Sequence, residues 1–253
     1  MDVQHSAASP WARWLTHFEC QRHRPLPHID GMLGLPPETL RVLGASLARF
    51  QLGETGEGRI VREVEHFHAS GIDDRYRRAL DLFVREEGRH ARILREALMT
   101  LGVAVLEREW TSQLFKRARQ LFGIRFKLLV LLVAEIAAVV AYGALVEHLP
   151  ASSLRTALEQ MHADEEHHLG FHGDFFKLTS SSALRRGAFA LALSLLVPAA
   201  LLVVLLDHHR TWRALSVSRR ELWQNARART MQTIRHVCAQ KYRSSAGLFG
   251  IRA

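Results

Sequence analysis

Two Glu-x-x-His segments, each preceded by a solitary glutamate in an earlier helix-forming stretch, restrict this chain more than any other feature. They are Glu87-Gly-Arg-His90 and Glu165-Glu166-His167-His168, with Glu54 and Glu135 as the solitary acids. Residues i and i+3 of an α-helix share a face, so each segment presents a carboxylate and an imidazole in one direction. Four carboxylates and two imidazoles in the order Glu, Glu-x-x-His, Glu, Glu-x-x-His form the ligand set of a carboxylate-bridged di-metal centre inside a four-helix bundle. A single segment of this kind says little, because Glu and His are ordinary helix-surface residues. Two copies with matching upstream glutamates say much more.

The rest of the chain suits that reading. Tyrosines number three, β-branched runs are few, and hydrophobic residues make up 48% of the 253, which supports an all-α domain with a sizeable core. Residues 1–35 carry Pro10, Pro25, Pro27, Gly31 and Gly34 and read as an irregular N-terminal arm. His17, Cys20, His23 and His28 lie in it, and a solvated arm is a better account of them than a metal site. A helix opens at Pro36-Pro37-Glu38 and runs to about Ser70, with a bend near Gly53, Gly56 and Gly58. Asp73 caps a second helix ending near Gly102, and 103–120 is a connection. A third helix spans 121–148, and Ser152 or Ser153 caps a fourth that ends near Leu178. Residues 36–179 would thus form the bundle. Residues 180–243 would add an apolar helix and a basic one capped by Ser216 or Ser218, leaving 244–253 as a flexible tail.

Hairpin arithmetic tests whether the six groups can meet. Glu54 lies about 17 positions before Gly71 and the midpoint of Glu87 and His90 about 17.5 after it, so at about 1.5 Å per residue both sit roughly 26 Å from the turn. In the second hairpin Glu135 lies about 15.5 positions before the turn at Pro150-Ala151, and the midpoint of Glu165 and His168 about 16 after it. The half-sites match in depth, and Glu57, the rival to Glu54, would fall roughly 5 Å off level. In the fourth helix Glu165 with His168 is preferred to the alternative pair Asp164 with His167. His162 and His172 suit hydrogen-bonding or surface roles. Glu135 stands in the apolar run LLVLLVAEIAAVVAYGAL, where a carboxylate must be neutralised, paired or metal-bound. Tyr142, two turns further on, reads as a core tyrosine, with a hydrogen-bond donor beside a ligand, or a redox-active group, as the alternative. A site rich in oxygen with only two histidines suits two iron ions, with manganese as the alternative. Cys20 and Cys238 are too few for a four-cysteine zinc or iron–sulfur site.

With those residues in place, the chain resembles the ferritin-like di-iron carboxylate superfamily, over residues 38–178. Within it, Gly53-Glu54-Thr55-Gly56-Glu57-Gly58-Arg59-Ile60 is similar to the G-E-x-G-x-x-R-I segment of demethoxyubiquinone hydroxylases. The resemblance implies that Glu54 is an iron ligand and that Glu87 with His90, Glu135, and Glu165 with His168 complete the set. It also implies a ferritin-like four-helix bundle, here with two additional C-terminal helices, and a hydroxylase of O2-dependent type acting on a quinone. The chain is longer than that family, and the surroundings of Glu135 are more apolar.

A formal charge of +9 permits an anionic membrane or nucleic acid as partner. Positive charge gathers at Lys116, Arg117, Arg119, Arg125 and Lys127. It gathers again along Arg213, Arg219, Arg220, Arg227, Arg229, Arg235, Lys241 and Arg243. Residues 187–206 are uncharged and long enough to span a bilayer, though Pro198 would kink such a span, and packing on the bundle or lying on a membrane is the preferred reading. The stretch 113–127 alternates basic and apolar residues as an interfacial helix does. No signal peptide is evident, so the expected place is cytoplasmic, peripheral at the inner face of the membrane. The leading expectation is a di-iron monooxygenase acting on O2 and a lipophilic, quinone-like substrate, with an electron donor the sequence does not identify; an anionic membrane is the preferred partner over nucleic acid, since interleaved aromatics are sparse. The alternatives are a ferritin- or rubrerythrin-like iron-oxidising or peroxide-reducing protein, a tRNA-modifying di-iron hydroxylase, and a basic helical module with vestigial ligands; homo-oligomers fit any of them.

Overall fold

The computed structural model describes residues 9–30, 33–55, 58–107 and 123–239. Among the described residues every regular element is a helix. Glu57, the greater part of the 113–127 stretch, and the tail 244–253 lie outside the described residues.

The N-terminal arm is the first departure from the sequence reading, because it carries a helix, α1, over Pro10–Gln21. Pro10 occupies the first turn, where it initiates a helix rather than breaking it, and Ser9 Oγ accepts from the Trp11 N–H. Trp11, Trp14 and Phe18, at i, i+3 and i+7, form one buried stripe that packs on the long helix Asp74–Thr100. Trp11 Nε1–H also donates to the Gly71 carbonyl, tying the arm to a distant turn.

The stretch read as one bent helix is two, α2 (Pro37–Gly53) and α3 (Gly58–Glu65), and Glu54 stands at the break. Gly71, at φ +83°, turns the chain. Asp73 then accepts from the Tyr76 N–H at 3.0 Å to start α4 (Asp74–Thr100). At its far end Gly102 adopts φ +66°, the Val103 N–H returns to Leu98 O at 2.8 Å, and the Gly102 N–H returns to Met99 O at 3.1 Å. That pair of bonds is a Schellman close, and it drives Val103 against Gly44 of α2, where a Cβ would meet Val103 Cγ2 at 2.7 Å.

The second hairpin is α5 (Ile124–His148) with α6 (Ser153–Thr179), the most extensively packed pair in the molecule. Of the two candidate caps it is Ser152 whose hydroxyl accepts from the Arg155 N–H, at 3.2 Å. Three further helices follow: α7 (Ala183–Asp207), the short α8 (His209–Ala214) and α9 (Arg219–Cys238). Ser218 caps α9, while Ser216 takes φ 58° in the close of α8. α7 and α9 cover α5, α9 also covers α6, and α8 rests on α2.

Both α5 and α7 are long and apolar enough to cross a membrane by length and composition, but they differ in burial. In α5 72% of the apolar window is buried; in α7 only 33% is. An all-round apolar helix must be covered by something. For α5 that cover is α3, α6, α7 and α9.

α1 lies so close to α6 that a Cβ at Gly170 would stand 2.9 Å from Trp14 Cη2. Gly170→Ala is therefore expected to cost about 1–3 kcal/mol in urea unfolding through overpacking. Gly187→Ala on α7, where nothing lies within 4 Å of the added carbon, should leave stability unchanged or slightly raised.

Candidate metal centre

Each of the six sequence-selected groups comes from a different place on the four long segments, and the structure brings all six together. Glu54 leaves the C-terminal end of α2, Glu87 and His90 lie on α4, Glu135 on α5, and Glu165 and His168 on α6. Two ligand groups result: Glu54, Glu87, His90 and Glu165, and Glu87, Glu135, Glu165 and His168, each with its donor atoms within 4.8 Å of one another. Glu87 and Glu165 belong to both. This buried group can hold a metal ion, and its two overlapping halves share two carboxylates.

The register question in α6 resolves on burial. Glu165 is 1% exposed and His168 fully buried. His167 is exposed and stacks on His17 at 4.3 Å between ring centroids. Asp164 has another task. Its Oδ2 accepts from His90 Nε2–H at 3.1 Å and is gripped by Arg24, with Arg89 Nη1 at 3.8 Å. His168 has the equivalent partner on the opposite hairpin, since its Nε2–H donates to Glu86 Oε2 at 3.0 Å. The acid just before each Glu-x-x-His thus orients the imidazole of the other one. Such outer carboxylates fix the ring tautomer and leave the second nitrogen for a metal. In both rings that second nitrogen, Nδ1, points at the shared glutamates: His90 Nδ1 lies 3.1 Å from Glu165 Oε1, and His168 Nδ1 lies 3.1 Å from Glu87 Oε1.

Among the described residues three atoms at this convergence, Glu87 Oε1, His90 Nδ1 and Glu165 Oε1, are buried without a well-aligned hydrogen bond, although His90 Nδ1 and Glu165 Oε1 stand 3.1 Å apart. Orphaned buried polar atoms are rare in native proteins and call for an explanation. Once the His90 proton on this nitrogen has left, all three are lone-pair donors aimed into one space, which fits a bound cation.

Electrostatics agrees. Burial, then the charges of Glu87 and Glu165, pushes Glu54 well above the usual carboxylate range. Burial, then Glu165 and Glu87, does the same to Glu135. Burial also opposes ionisation of Glu165, yet hydrogen bonds from Glu135 and from the two imidazoles hold it well below that range. His90 is pushed up to about 10, because hydrogen bonds to Asp164 and Glu165 outweigh its burial. His168 rises likewise, through Glu165 above all, against its burial. Protons therefore occupy the centre in the metal-free chain, and a cation must displace them.

Tyr142 is fully buried, as a core tyrosine should be, and its hydroxyl donates to Glu54 Oε1. It thus fills the alternative role as well. His172 corrects the sequence reading: it is fully buried, neither ring nitrogen has a partner, and burial, then the His168 charge, lowers it to about 3. His162 is half-buried beside Gly143, 3.9 Å from Glu166. Cys20 and Cys238 are both free thiols. Glu86 and the role of Asp164 escaped sequence reasoning, although an acid precedes the glutamate in both motifs and was there to be seen. No protein-family model, curated protein or solved structure matches this chain.

Because the folded pKa of His90 lies above its ordinary 6.5, its contribution to the stability of the metal-free protein is fully present below pH 6.5 and is lost as pH rises to about 10. Denaturation midpoints of the metal-free protein are expected to fall across that window. Apparent metal affinity should rise across the same window as the protons leave, with proton release measurable in unbuffered calorimetric titrations.

Proposed function

We propose that the protein is a di-iron oxidoreductase of ferritin-like four-helix fold, an O2-dependent monooxygenase that hydroxylates a lipophilic, quinone-like substrate. The overlapping ligand groups that share Glu87 and Glu165 carry this reading. In it Glu54, Glu87, His90 and Glu165 would hold one ion, and Glu87, Glu135, Glu165 and His168 the other. Three carboxylates and one imidazole per position suit iron or manganese rather than copper or structural zinc. Iron bound there supplies the redox chemistry by which O2 is reduced and one of its atoms transferred.

The chain's own residues do the rest. Asp164 and Glu86 hold the two imidazoles in the tautomer that frees Nδ1. Tyr142 keeps a proton at Glu54 Oε1, inside the core and away from solvent. The apolar surroundings of Glu135 on α5 exclude water, which strengthens every charge interaction in the site. Hydroxylation with O2 consumes two electrons and two protons per turnover and releases water, so an external reductant is part of this reading. The likeness of the Gly53–Ile60 segment to demethoxyubiquinone hydroxylases supports a quinone as the acceptor of the hydroxyl.

A lipophilic substrate needs access from a membrane, and α7 offers a docking face. Leu184, Leu191, Leu195, Leu202 and Leu206 recur at helical spacing along one side, and Leu191 and Leu195 are 63% and 64% exposed. Arg185 and Arg186 stand at one end, Arg210 and Arg213 at the other. An exposed apolar stripe with basic ends suits in-plane binding to an anionic bilayer, here its cytoplasmic face.

Protein purified from iron-rich growth is expected to carry about two irons per chain. Glu165→Ala, which removes a shared ligand, should take this well below one, while Glu54→Ala should leave about one. Given a reductant, a demethoxylated short-chain quinone and isotopically labelled dioxygen, the quinone should acquire one labelled hydroxyl. Dioxygen consumption without a labelled product would favour the iron-oxidising alternative and sink the hydroxylase. Replacing Leu191 and Leu195 together by glutamate should weaken binding to anionic vesicles at least tenfold while iron content stays unchanged. Rising salt should weaken binding of the unaltered protein, because the basic ends are screened.

A further inference from the structure

A cavity of about 370 Å³ opens between the C-terminal end of α1, the segment that follows it, and α4. Its size falls within the roughly 300–1,000 Å³ of small-molecule sites. Phe18, Leu26 and Leu82 give it an apolar wall, and five arginines against the single acid Glu86 give it a positive one. Burial grades the arginines. Arg89 is 4% exposed and Arg24 half-buried, whereas Arg22, Arg85 and Arg92 are exposed at the mouth.

Asp164 and nearby carbonyls satisfy the two inner guanidiniums only in part. Arg89 Nη1 and Arg24 Nε are buried without a hydrogen-bond partner. Arg89 does donate from Nη2 to the Pro25 carbonyl at 2.8 Å, which fixes the group in place, while its Nη1 stands 3.8 Å from Asp164 Oδ2, beyond hydrogen-bond reach. Arg24 and Arg89 both face the one carboxylate of Asp164, so two guanidiniums meet a single acid there and a further negative charge would suit both. Guanidinium forks match carboxylate and phosphate oxygens in pairs.

We propose that this cavity binds a small organic anion, a phosphate or carboxylate head on an apolar body, with Arg89 and Arg24 on the inner side of the head, Arg22 and Arg92 facing it from the mouth, and Phe18 and Leu82 along the body. A bare oxyanion would leave the apolar wall uncovered, and a neutral apolar molecule would leave the arginines unanswered. The occupant sits beside both outer acids of the metal centre. Arg24 and Arg89 flank Asp164, which holds His90, while Glu86 lines the cavity and holds His168. Its binding therefore bears on the geometry of the two imidazoles, but the cavity itself is built by α1 and α4 and asks for no particular metal.

Calorimetric titration of the full chain, metal-free and metal-loaded, with 1-naphthyl phosphate tests this. Saturable binding is expected in both forms, weakened tenfold or more in Arg92→Gln and Arg22→Gln, which lie at the mouth away from the centre and should leave the unfolding midpoint unchanged. Competition by vesicles containing phosphatidic acid would assign the head to a lipid, and its absence would assign it to a soluble molecule; both outcomes keep the arginine site. Equal affinity for neutral naphthylmethanol, equal affinity for inorganic phosphate, or full affinity in both glutamine variants would overturn the proposal.

Discussion

Four glutamates and two histidines meet in a core otherwise made of leucine, valine, alanine and phenylalanine, and withdrawing so many ionisable groups from water is costly unless each is neutralised. The metal-free chain meets that demand with protons, held on Glu54, Glu135, His90 and His168, while Glu165 stays ionised among them. Outside this ring a second one carries fixed charge of opposite sense: Asp164 between His90 and the guanidiniums of Arg24 and Arg89, and Glu86 on His168. The N-terminal arm matters for this reason. It delivers Arg24 to Asp164, and its buried tryptophans and Phe18 fasten it to α4 and α6.

Helical class and the inner six residues were legible because they rest on periodicity and on equal distances from a turn. Depth preferred Glu54 to Glu57 on the premise of one continuous helix, which the structure breaks at Glu54, and Glu57 lies outside the described residues. What escaped was whatever depends on direction around a helix or on tertiary cover. Asp164 was weighed only as a rival in register, although a residue one position before a ligand points about 100° away and so meets a neighbouring helix. Glu86 went unread for the same reason. The arm reads as irregular because Pro10, Pro25, Pro27, Gly31 and Gly34 interrupt any long pattern, but Pro10 falls where proline starts a helix, and three aromatic positions suffice for a buried stripe. The break between α2 and α3 was marked by Gly53 and Gly58, which permit a bend or a full interruption alike.

Composition likewise cannot separate α5 from α7. Both pass a test of length and apolarity, and the difference lies in what surrounds them. α5 carries Glu135 and is enclosed by neighbours, so its apolar side chains insulate the centre. α7 is covered by α5 and α9 on one side only, and its outer leucines are left facing away from the protein. The same hydropathy thus supports a dielectric wall in one helix and a contact surface in the other.

The cross-connection of the two motifs has a mechanical consequence. α4 and α6 approach each other far less extensively than α5 and α6 do, so apolar packing alone constrains their relative register weakly. Glu86 reaching His168 and Asp164 reaching His90 supply that constraint, since a slide of one helical turn, about 5.4 Å, would break both bonds together. The shared glutamates add to it from inside, because Glu87 and Glu165 come from the same two helices and face the same space. A cation bound between them would complete a connection the protein has already half built from hydrogen bonds. The metal-free chain thus already holds the two hairpins in the register that brings the ligands together.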